Sequence, residues 1–353
     1  MGNAGPPPAW GTRDMDMMTA TLMDREAAEA AAAVRRMLAT NRPVLADLGQ
    51  RLRAAPPAAV VTCARGSSDH AATYGKYLIE TLCGIPVASA APSIASVYDA
   101  PVTAASDRMC IALSQSGRSP DLLATVAAQQ RSGAHVVAIV NDATSPLAEA
   151  ADTLIALEAG PEKSVAATKS FIAMTAALAA LAAAWAQDAE LAAAVDALPD
   201  LLDRAAAIAW PAVEEALADA TNLFVIGRGY GLGITQEAAL KLKETCALHA
   251  EAFSAAEVRH GPMTIVGPGF PVLALATSDP AGDAVREVAG MFRDRGATVE
   301  LVSAGDDRSL AAHPAIEPIL MIQSFYRMAN RLSLRRGLDP DSPPHLAKVT
   351  CTL

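Results

Sequence analysis

The sequence is poor in aromatic residues and in cysteine, and it has no excess of positive charge. Phe, Trp and Tyr together make up 4% of the 353 residues, whereas alanine is abundant, so we expect helices that pack closely through small side chains. The net charge of −10 argues against a nucleic-acid partner, which would favour a basic surface. An anionic ligand would therefore have to be held by local groups rather than by the overall field of the protein.

The cysteines lack the spacing of a disulfide framework or a metal site. Their odd number and scatter indicate reduced thiols and a cytoplasmic protein. Two of them fall in strand-like runs, where a small buried side chain is expected. No His, Cys and carboxylate cluster has metal-ligand spacing, so we expect no metal. The five are Cys63, Cys83, Cys110, Cys246 and Cys351, with Cys63 and Cys110 in the strand-like runs.

No secretory signal and no membrane span is expected. Residues 1–20 contain no basic stretch followed by an apolar core, and their Pro-Pro-Pro run predicts a disordered leader. The run from Ser170 to Ala186 is apolar, but it is mostly alanine and is shorter than the roughly 20 apolar residues that a span needs. We therefore expect a buried helix there and no membrane association.

Strand-like and helix-like runs alternate along the chain, which is the pattern of a parallel sheet covered on both faces. The order then repeats, and the interval from Val60 to Leu223 equals the interval from Gly133 to Gly296. A shared offset across separate strands indicates internal duplication. We predict an α/β fold of two tandem doubly wound parallel-sheet domains, after the leader of residues 1–20. The domains would cover residues 21–200, with a leading helix, and 201–353, with a functional tail.

Polar side chains cluster where two of the predicted strands end. The stretch "LSQSGRSPDL" (113–122) places hydroxyls and an amide between a buried strand and a helix, and a Ser pair follows the preceding strand. Ligands of open parallel sheets bind at the carboxyl ends of the strands, where a helix N-terminus also favours an anion. The cluster therefore suits a phosphate, although a serine at such a position is also a common helix N-cap. The side chains are Ser67, Ser68, Ser114, Gln115, Ser116 and Ser119.

Five motifs occur in one order: "LSQSGRSPDL", "VAATKSF", "EAALKLKETCALHAEAF", "RHGP" and "PPHLAKVTCTL". Together they resemble the sugar isomerase (SIS) family, and in particular the isomerase half of glucosamine-6-phosphate synthase. The resemblance covers nearly the whole chain beyond residue 20, and the tandem fold of that family agrees with the duplication.

The resemblance implies a sugar 6-phosphate substrate held by the six polar side chains above, with backbone groups of Val165 and Ala347 near the sugar. It further implies that Glu244 moves a proton between C1 and C2, with Lys241 as a charged companion one turn earlier. His260 would open the sugar ring from the neighbouring subunit of a homodimer. Lys348 matches a lysine that can form a Schiff base with the ketose.

Each of these residues also has an ordinary interpretation. Glu237, Lys241 and Glu244 are spaced as ion pairs on a solvated helix face. His249 and Glu251 follow in the same segment and compete for the acid/base role. His260 would otherwise be a loop histidine, and Lys348 a solvated residue of the tail.

The chain departs from the synthase in two respects. The synthase begins with a glutaminase domain whose cysteine nucleophile follows the initiator methionine, whereas here Gly2 follows Met1, so no ammonia source is expected. Arg65 and Arg118 replace small and acidic residues of the synthase, as in stand-alone glucosamine-6-phosphate deaminases of the SIS type. The expected reaction converts D-glucosamine 6-phosphate and water to fructose 6-phosphate and ammonia. It needs no metal and no organic cofactor, because the carbonyl group of the substrate itself makes the C2 proton acidic. The alternatives are galactosamine-6-phosphate deamination, aldose–ketose isomerisation, deglycation of a fructosamine phosphate, and a non-catalytic sugar-phosphate sensor.

Overall fold

A computed structural model describes residues 21–104, 106–346 and 348 of the chain. It contains two parallel β-sheets in succession. The five-stranded first sheet has the order β2-β1-β3-β4-β5, and the four-stranded second sheet has the order β7-β6-β8-β9. The strands are β1 Ala59–Cys63, β2 Val87–Ser89, β3 Arg108–Ser114, β4 His135–Val140, β5 Thr153–Ala156, β6 Asn222–Gly227, β7 His249–Ser254, β8 Pro271–Ala276 and β9 Thr298–Ser303.

Helices cover both faces of each sheet. This explains why the inner strand β3 is buried at every position from Met109 to Ser114, as in sheets packed on both sides. The helices of the first half are α1 Leu22–Ala28, α2 Ala30–Ala54, α3 Ser67–Leu78, α4 Ser93–Ser96, α5 Pro120–Arg131, α6 Pro146–Ala150 and α7 Lys169–Ala186. Those of the second half are α8 Ala189–Ala205, α9 Pro211–Leu217, α10 Leu232–Cys246, α11 Pro280–Asp294 and α12 Glu317–Arg335.

The two halves repeat with the constant offset that the sequence predicted. Strands β1, β3 and β4 begin at positions 59, 108 and 135, and strands β6, β8 and β9 begin at positions 222, 271 and 298, so one interval separates all three pairs. Strands β2 and β7 occupy the same edge position in the two sheets, whereas β5 has no counterpart in the second sheet. The predicted fold of two tandem doubly wound parallel sheets is confirmed. The domain boundaries at residues 200 and 201 stay a prediction.

Strand β7 was not expected, and neither was β2. Helix α10 ends at Cys246 because Ala247 adopts a left-handed backbone conformation, with φ of 51°. The chain then continues as β7 beside β6, with Leu223 opposite Ala250. Both β2 and β7 contain exposed residues, so neither shows the continuous apolar run that marks a buried strand.

The apolar run near residue 170 forms the core helix α7. This helix is long and apolar enough to cross a membrane by length and composition, but 89% of its 18-residue window is buried inside the protein. It packs against α2 and α3. The expectation of a buried helix is confirmed. Cys63 and Cys110 are also buried, as expected of small side chains in inner strands.

The two halves meet where helix α3 packs against α10. These helices follow β1 and β6, so they are counterparts in the duplication. A Cβ atom on Gly233 would lie 2.4 Å from the carbonyl oxygen of His70 and 2.8 Å from the nitrogen of Tyr74. Only glycine therefore permits this backbone approach, which brings side chains of α3 and α10 together.

Candidate active site

The predicted phosphate-binding residues lie at the carboxyl ends of two adjacent strands. β1 pairs with β3, with Cys63 opposite Ala112, and the chain leaves β1 and β3 toward opposite edges of the sheet. Such a reversal of strand order opens a crevice that serves as a ligand site in doubly wound sheets. Ser67 and Ser68 begin α3 at this edge, Ser114 ends β3, and the loop from β3 to α5 carries Gln115, Ser116 and Ser119. We call these six residues the cradle.

The cradle hydroxyls differ in their contacts. Ser114 Oγ accepts a hydrogen bond of 2.9 Å from the N–H of Gly117, so this hydroxyl shapes the loop. Ser119 stands at the N-cap position of α5, yet its side chain makes no capping hydrogen bond. The ordinary N-cap interpretation therefore does not account for Ser119. Ser116 accepts only a long bond of 3.4 Å from the N–H of Arg118, and Gln115, Ser116 and Ser119 are partly exposed.

Two arginines flank the cradle. Arg65 pairs at 2.7 Å with the buried carboxylate of Asp121, and this contact joins the β1–α3 loop to the start of α5. Arg118 pairs at 2.8 Å with Asp142. Hydrogen bonds from Thr144 and Arg118 lower the pKa of Asp142 to about 2. About half of each arginine side chain is exposed, so cationic groups border the crevice although the protein carries a net charge of −10.

Three charged side chains of α10 face the same region: Glu237, Lys241 and Glu244. We call them the α10 row. Lys241 Nζ lies 2.6 Å from Glu244 Oε2 and 3.3 Å from Glu237 Oε1. The side chains of Lys241 and Glu237 are 1% and 0% exposed, whereas that of Glu244 is 21% exposed. The interpretation as a solvated helix face is wrong for Glu237 and Lys241, because both are enclosed by the packing of α10 against α3 and α12.

Mutual pairing keeps the two buried groups charged. Burial by itself raises the pKa of Glu237, but the charge of Lys241 and the contacts with His70 and Ser67 outweigh it, so the pKa is lowered. Burial by itself lowers the pKa of Lys241, but Glu237 and Glu244 outweigh it and raise this pKa. Lys241 is therefore a buried cation next to the more accessible carboxylate of Glu244.

Three further side chains hold Glu237. Ser67 Oγ donates to Glu237 Oε1 at 3.0 Å and accepts a bond of 3.1 Å from Lys241 Nζ. Tyr326 donates to Oε1 at 3.1 Å, and His70 Nδ1 lies 3.1 Å from Oε2. Ser67 therefore belongs to the cradle and also contacts Glu237 and Lys241 of α10. His70 and Tyr326 were not expected from the sequence, since the only available signal was the position of His70 one turn after Ser67.

Lys348 lies beside the loop that carries Val165. Lys348 Nζ donates a hydrogen bond of 2.7 Å to the carbonyl of Ser164 and lies 3.6 Å from Glu162 Oε2. The buried Glu162 also accepts bonds from the N–H groups of Thr168 and Ser170, at 2.9 and 3.2 Å. Lys348 therefore contacts the residue before Val165, and the roles of both residues stay a prediction, whereas Glu162 was not expected. Ala347 lies outside the described residues.

Tyr326 is a buried phenol that contacts the α10 row through Glu237. Burial raises the pKa of Tyr326 well above its ordinary value, and the charges of Glu237, Glu162 and Glu244 raise it further. The hydroxyl group of Tyr326 itself donates to Glu237, at 3.1 Å.

The remaining acid/base candidates lie elsewhere. His260 is exposed at the end of the 3₁₀ turn Glu257–His260. His249 and Glu251 are exposed on the edge strand β7. Within the described part of the chain, no hydrogen bond or ion pair joins these three side chains to Lys241 or Glu244.

The second sheet has the same reversal of strand order, between β6 and β8. There the N–H of Ser278, the counterpart of Gln115 in the duplication, donates a hydrogen bond of 2.7 Å to Glu317 Oε2. The N–H of Ala312 donates to Oε1 at 3.3 Å. Glu317 is fully buried, so a carboxylate of the protein itself occupies backbone donors at the counterpart of the cradle.

The protein is thus a two-domain α/β protein. It has two tandem doubly wound sheets with a buried carboxylate–lysine pair where the two halves meet. The chain belongs to the SIS domain family, since the SIS domain model matches residues 56–184 and 216–324. The predicted family is thereby confirmed.

Individual relatives agree with this assignment. The chain is 35% identical over 312 residues to the glutamine–fructose-6-phosphate aminotransferase (isomerizing) of Aeropyrum pernix, a match that covers 80% of this chain and 49% of that protein. The chain therefore spans about half the length of the curated relatives that it matches. A candidate phosphosugar isomerase from Silicibacter pomeroyi shares 45% identity with a TM-score of 0.85, over 91% of this chain and all of that one. Glucosamine-6-phosphate deaminase from Thermotoga maritima shares the fold, with 22% identity and a TM-score of 0.71 over 91% of this chain and all of that one.

Proposed function

We propose that this protein is a glucosamine-6-phosphate deaminase of the SIS type. It would convert D-glucosamine 6-phosphate and water to D-fructose 6-phosphate and ammonia. The observation that carries the proposal is the α10 row, in which a buried lysine holds Glu244, the only partly exposed carboxylate of the three charged groups. Arg65 and Arg118, which differ from the small and acidic residues of the synthase, favour the deaminase over the synthase.

The cradle would hold the phosphate of the sugar. Hydroxyl groups, backbone N–H groups and the N-termini of α3 and α5 are all donors or partial positive charges, which suit a dianion. His260 would open the pyranose ring and expose the C1 aldehyde, which makes the proton on C2 acidic. Binding the phosphate at a distance from C1 and C2 fixes the reacting carbons against Glu244.

Glu244 would then carry the proton. It takes the C2 proton and returns it to C1, so that the C1 aldehyde becomes an alcohol and the C2 amine becomes an imine. Water adds to the imine carbon, and the C–N bond breaks to release ammonia and leave the C2 ketone. Lys241 holds the carboxylate of Glu244 in place through their ion pair of 2.6 Å. Lys348 holds the C2 nitrogen or the C1 oxygen, or forms a transient Schiff base.

The working unit would be a homodimer in the cytoplasm. His260 is exposed and makes no contact with Lys241 or Glu244 within the described chain, which is consistent with delivery from a neighbouring subunit. Cys63, Cys83, Cys110 and Cys246 are free thiols, which fits a reducing compartment.

The decisive experiment measures ammonia and ketose production from glucosamine 6-phosphate. Galactosamine 6-phosphate and fructose-lysine phosphate are assayed beside it, with Glu244→Gln as the inactive control. We expect glucosamine 6-phosphate to be turned over fastest, with one ammonia per fructose 6-phosphate. Faster reaction of either other substrate would replace the proposed substrate. Aldose–ketose conversion without ammonia would indicate an isomerase, and binding of all ligands without turnover would indicate a sensor.

A further inference from the structure

The two carboxylate oxygens of Glu237 differ in their number of polar partners. Oε1 contacts Ser67, Tyr326 and Lys241, at 3.0, 3.1 and 3.3 Å. Oε2 has one partner among the residues that the structure describes, the Nδ1 atom of His70 at 3.1 Å. A carboxylate only accepts hydrogen bonds, so His70 donates its Nδ1–H. A fully buried carboxylate that loses such a donor is left with an unsatisfied charge.

Glu237 and Glu244 share the single cation Lys241. The ammonium lies closer to Glu244 than to Glu237, at 2.6 against 3.3 Å. This unequal sharing depends on how well Glu237 is satisfied by other donors. If the donor on Oε2 were removed, the full charge of Glu237 would attract Lys241, and the contact between Lys241 and Glu244 would lengthen.

We propose that His70 is a positioning residue for the catalytic carboxylate. By donating to Glu237 it allows Lys241 to remain with Glu244, and so it fixes the orientation of Glu244. The inference rests on the proposed role of Glu244 as the base. His70 acts through two intermediate side chains, so its effect falls on the proton-transfer step rather than on the affinity for the sugar phosphate.

Helix α3 gives His70 a defined relation to the cradle. His70 lies one turn after Ser67, at the start of the helix that follows β1. The backbone of α3 at His70 is in direct contact with α10, where a Cβ on Gly233 would meet the His70 carbonyl. The imidazole is therefore held between the phosphate-binding end of the first half and the charged row of the second half.

Two amide variants test the proposal, because the side-chain N–H donors of asparagine and glutamine take the positions of different nitrogen atoms of the replaced imidazole. Asparagine Nδ2 substitutes for His Nδ1, whereas glutamine Nε2 substitutes for His Nε2. We expect His70→Gln to lower kcat about tenfold to a hundredfold, the usual cost of a lost hydrogen bond to a charged group, with KM changed less than about threefold. His70→Asn should keep kcat within about threefold of the wild-type value. Thr73→Val, on the next turn of α3 and half-buried, is the matched control and should leave both constants unchanged.

Exchange of the C2 hydrogen with solvent separates this inference from the proposed function. If the wild-type protein neither exchanges that hydrogen nor releases ammonia, the proposed function fails. If the wild type exchanges and His70→Gln exchanges at the same rate, His70 is not a positioning residue. Equal loss in both amide variants would also overturn the inference, because it would mean that the imidazole itself takes part in the reaction. Circular dichroism and the Tm of each variant show whether a loss reflects unfolding.

Discussion

Lys241 and Glu244 form a 2.6 Å ion pair in which one partner is 1% exposed and the other 21% exposed. The lysine is enclosed together with the carboxylates that pair with it, whereas part of the glutamate side chain is exposed. A carboxylate in this position is held by the lysine and still has surface that a ligand can contact. This asymmetry distinguishes Glu244 from Glu237, which has a similar spacing from Lys241 but no exposed surface.

Replacement of Glu244 by glutamine should abolish turnover and leave binding intact. The amide preserves shape and hydrogen bonding but accepts no proton, and a general base is worth about a hundredfold to ten-thousandfold in rate. We expect C2-hydrogen exchange to cease, while fructose 6-phosphate still binds in calorimetry. Glu251→Gln, on the exposed edge strand β7, is the control and should be fully active. Exchange that persists in Glu244→Gln would move the role to Glu251 or His249.

Replacement of Ser116 by alanine should weaken the binding of sugar 6-phosphates. A lost hydrogen bond to a charged phosphate costs about 1.5–3 kcal/mol, which corresponds to roughly tenfold to a hundredfold in Kd. The Tm should not change, since Ser116 is partly exposed and makes only one long hydrogen bond. Ser278→Ala removes a hydroxyl at the corresponding strand end of the second half and should bind normally. An unchanged Kd for fructose 6-phosphate in Ser116→Ala would remove this residue from the cradle.

The contribution of Glu237 and Lys241 to the free energy of unfolding should depend on pH. The folded pKa of Glu237 is lowered, so its contribution is present above the ordinary value of about 4.3 and is lost as the pH falls through the lower folded pKa. The folded pKa of Lys241 is raised, so its contribution is present below about 10.4 and is lost as the pH rises through the folded pKa.

Glu237→Gln should accordingly lower the free energy of unfolding by about 3 kcal/mol at neutral pH, because it breaks a buried pair. Urea unfolding from pH 7 to pH 3 should show a constant difference from the wild type down to about pH 4.3 and a smaller one below it. Exposed Glu251→Gln serves as the control. A difference that grows with acidity would show that Glu237 is not charged in the folded protein.

Mixed subunits should restore activity if His260 crosses an interface. Homodimers of His260→Ala and of Glu244→Gln are each expected to be inactive. At equal mixing about half of the dimers are mixed and each has one intact site, so about a quarter of wild-type activity should return. Subunit exchange is verified with differently tagged chains. If exchange occurs and no activity returns, His260 acts within its own chain or does not open the ring.

Each chain should bind one sugar phosphate, although it contains two reversals of strand order. Glu317 already accepts the N–H of Ser278 at the second reversal, at 2.7 Å, and its carboxylate would repel a phosphate there. Calorimetry with fructose 6-phosphate should give a stoichiometry of one per chain, and Ser116→Ala should weaken that single event. Two binding events of similar affinity would show that Glu317 does not block the second reversal.

The sequence predicts the framework because the relevant signals are local. Apolar strands and their helical connections lie within short windows, the constant offset between the halves follows from comparing those windows, and the ends of β1 and β3 follow from them as well. The environment of Lys241 is not local. Glu237 is held by His70 and Tyr326, which lie 167 and 89 residues away along the chain. Charge spacing on one helix is the same for a solvated face and a buried row, so the pattern alone could not distinguish them.

The close contact at Gly233 means that the active region is divided between two portions of the polypeptide. Ser67 and His70 come before the connection at α8, whereas Glu237, Lys241 and Glu244 come after it. A chain cut between α8 and α9 would yield two fragments, neither of which holds both groups of residues. Turnover in a mixture of the two fragments would then report directly on reassembly of the α3–α10 interface. This makes the protein a natural scaffold for a split-enzyme sensor.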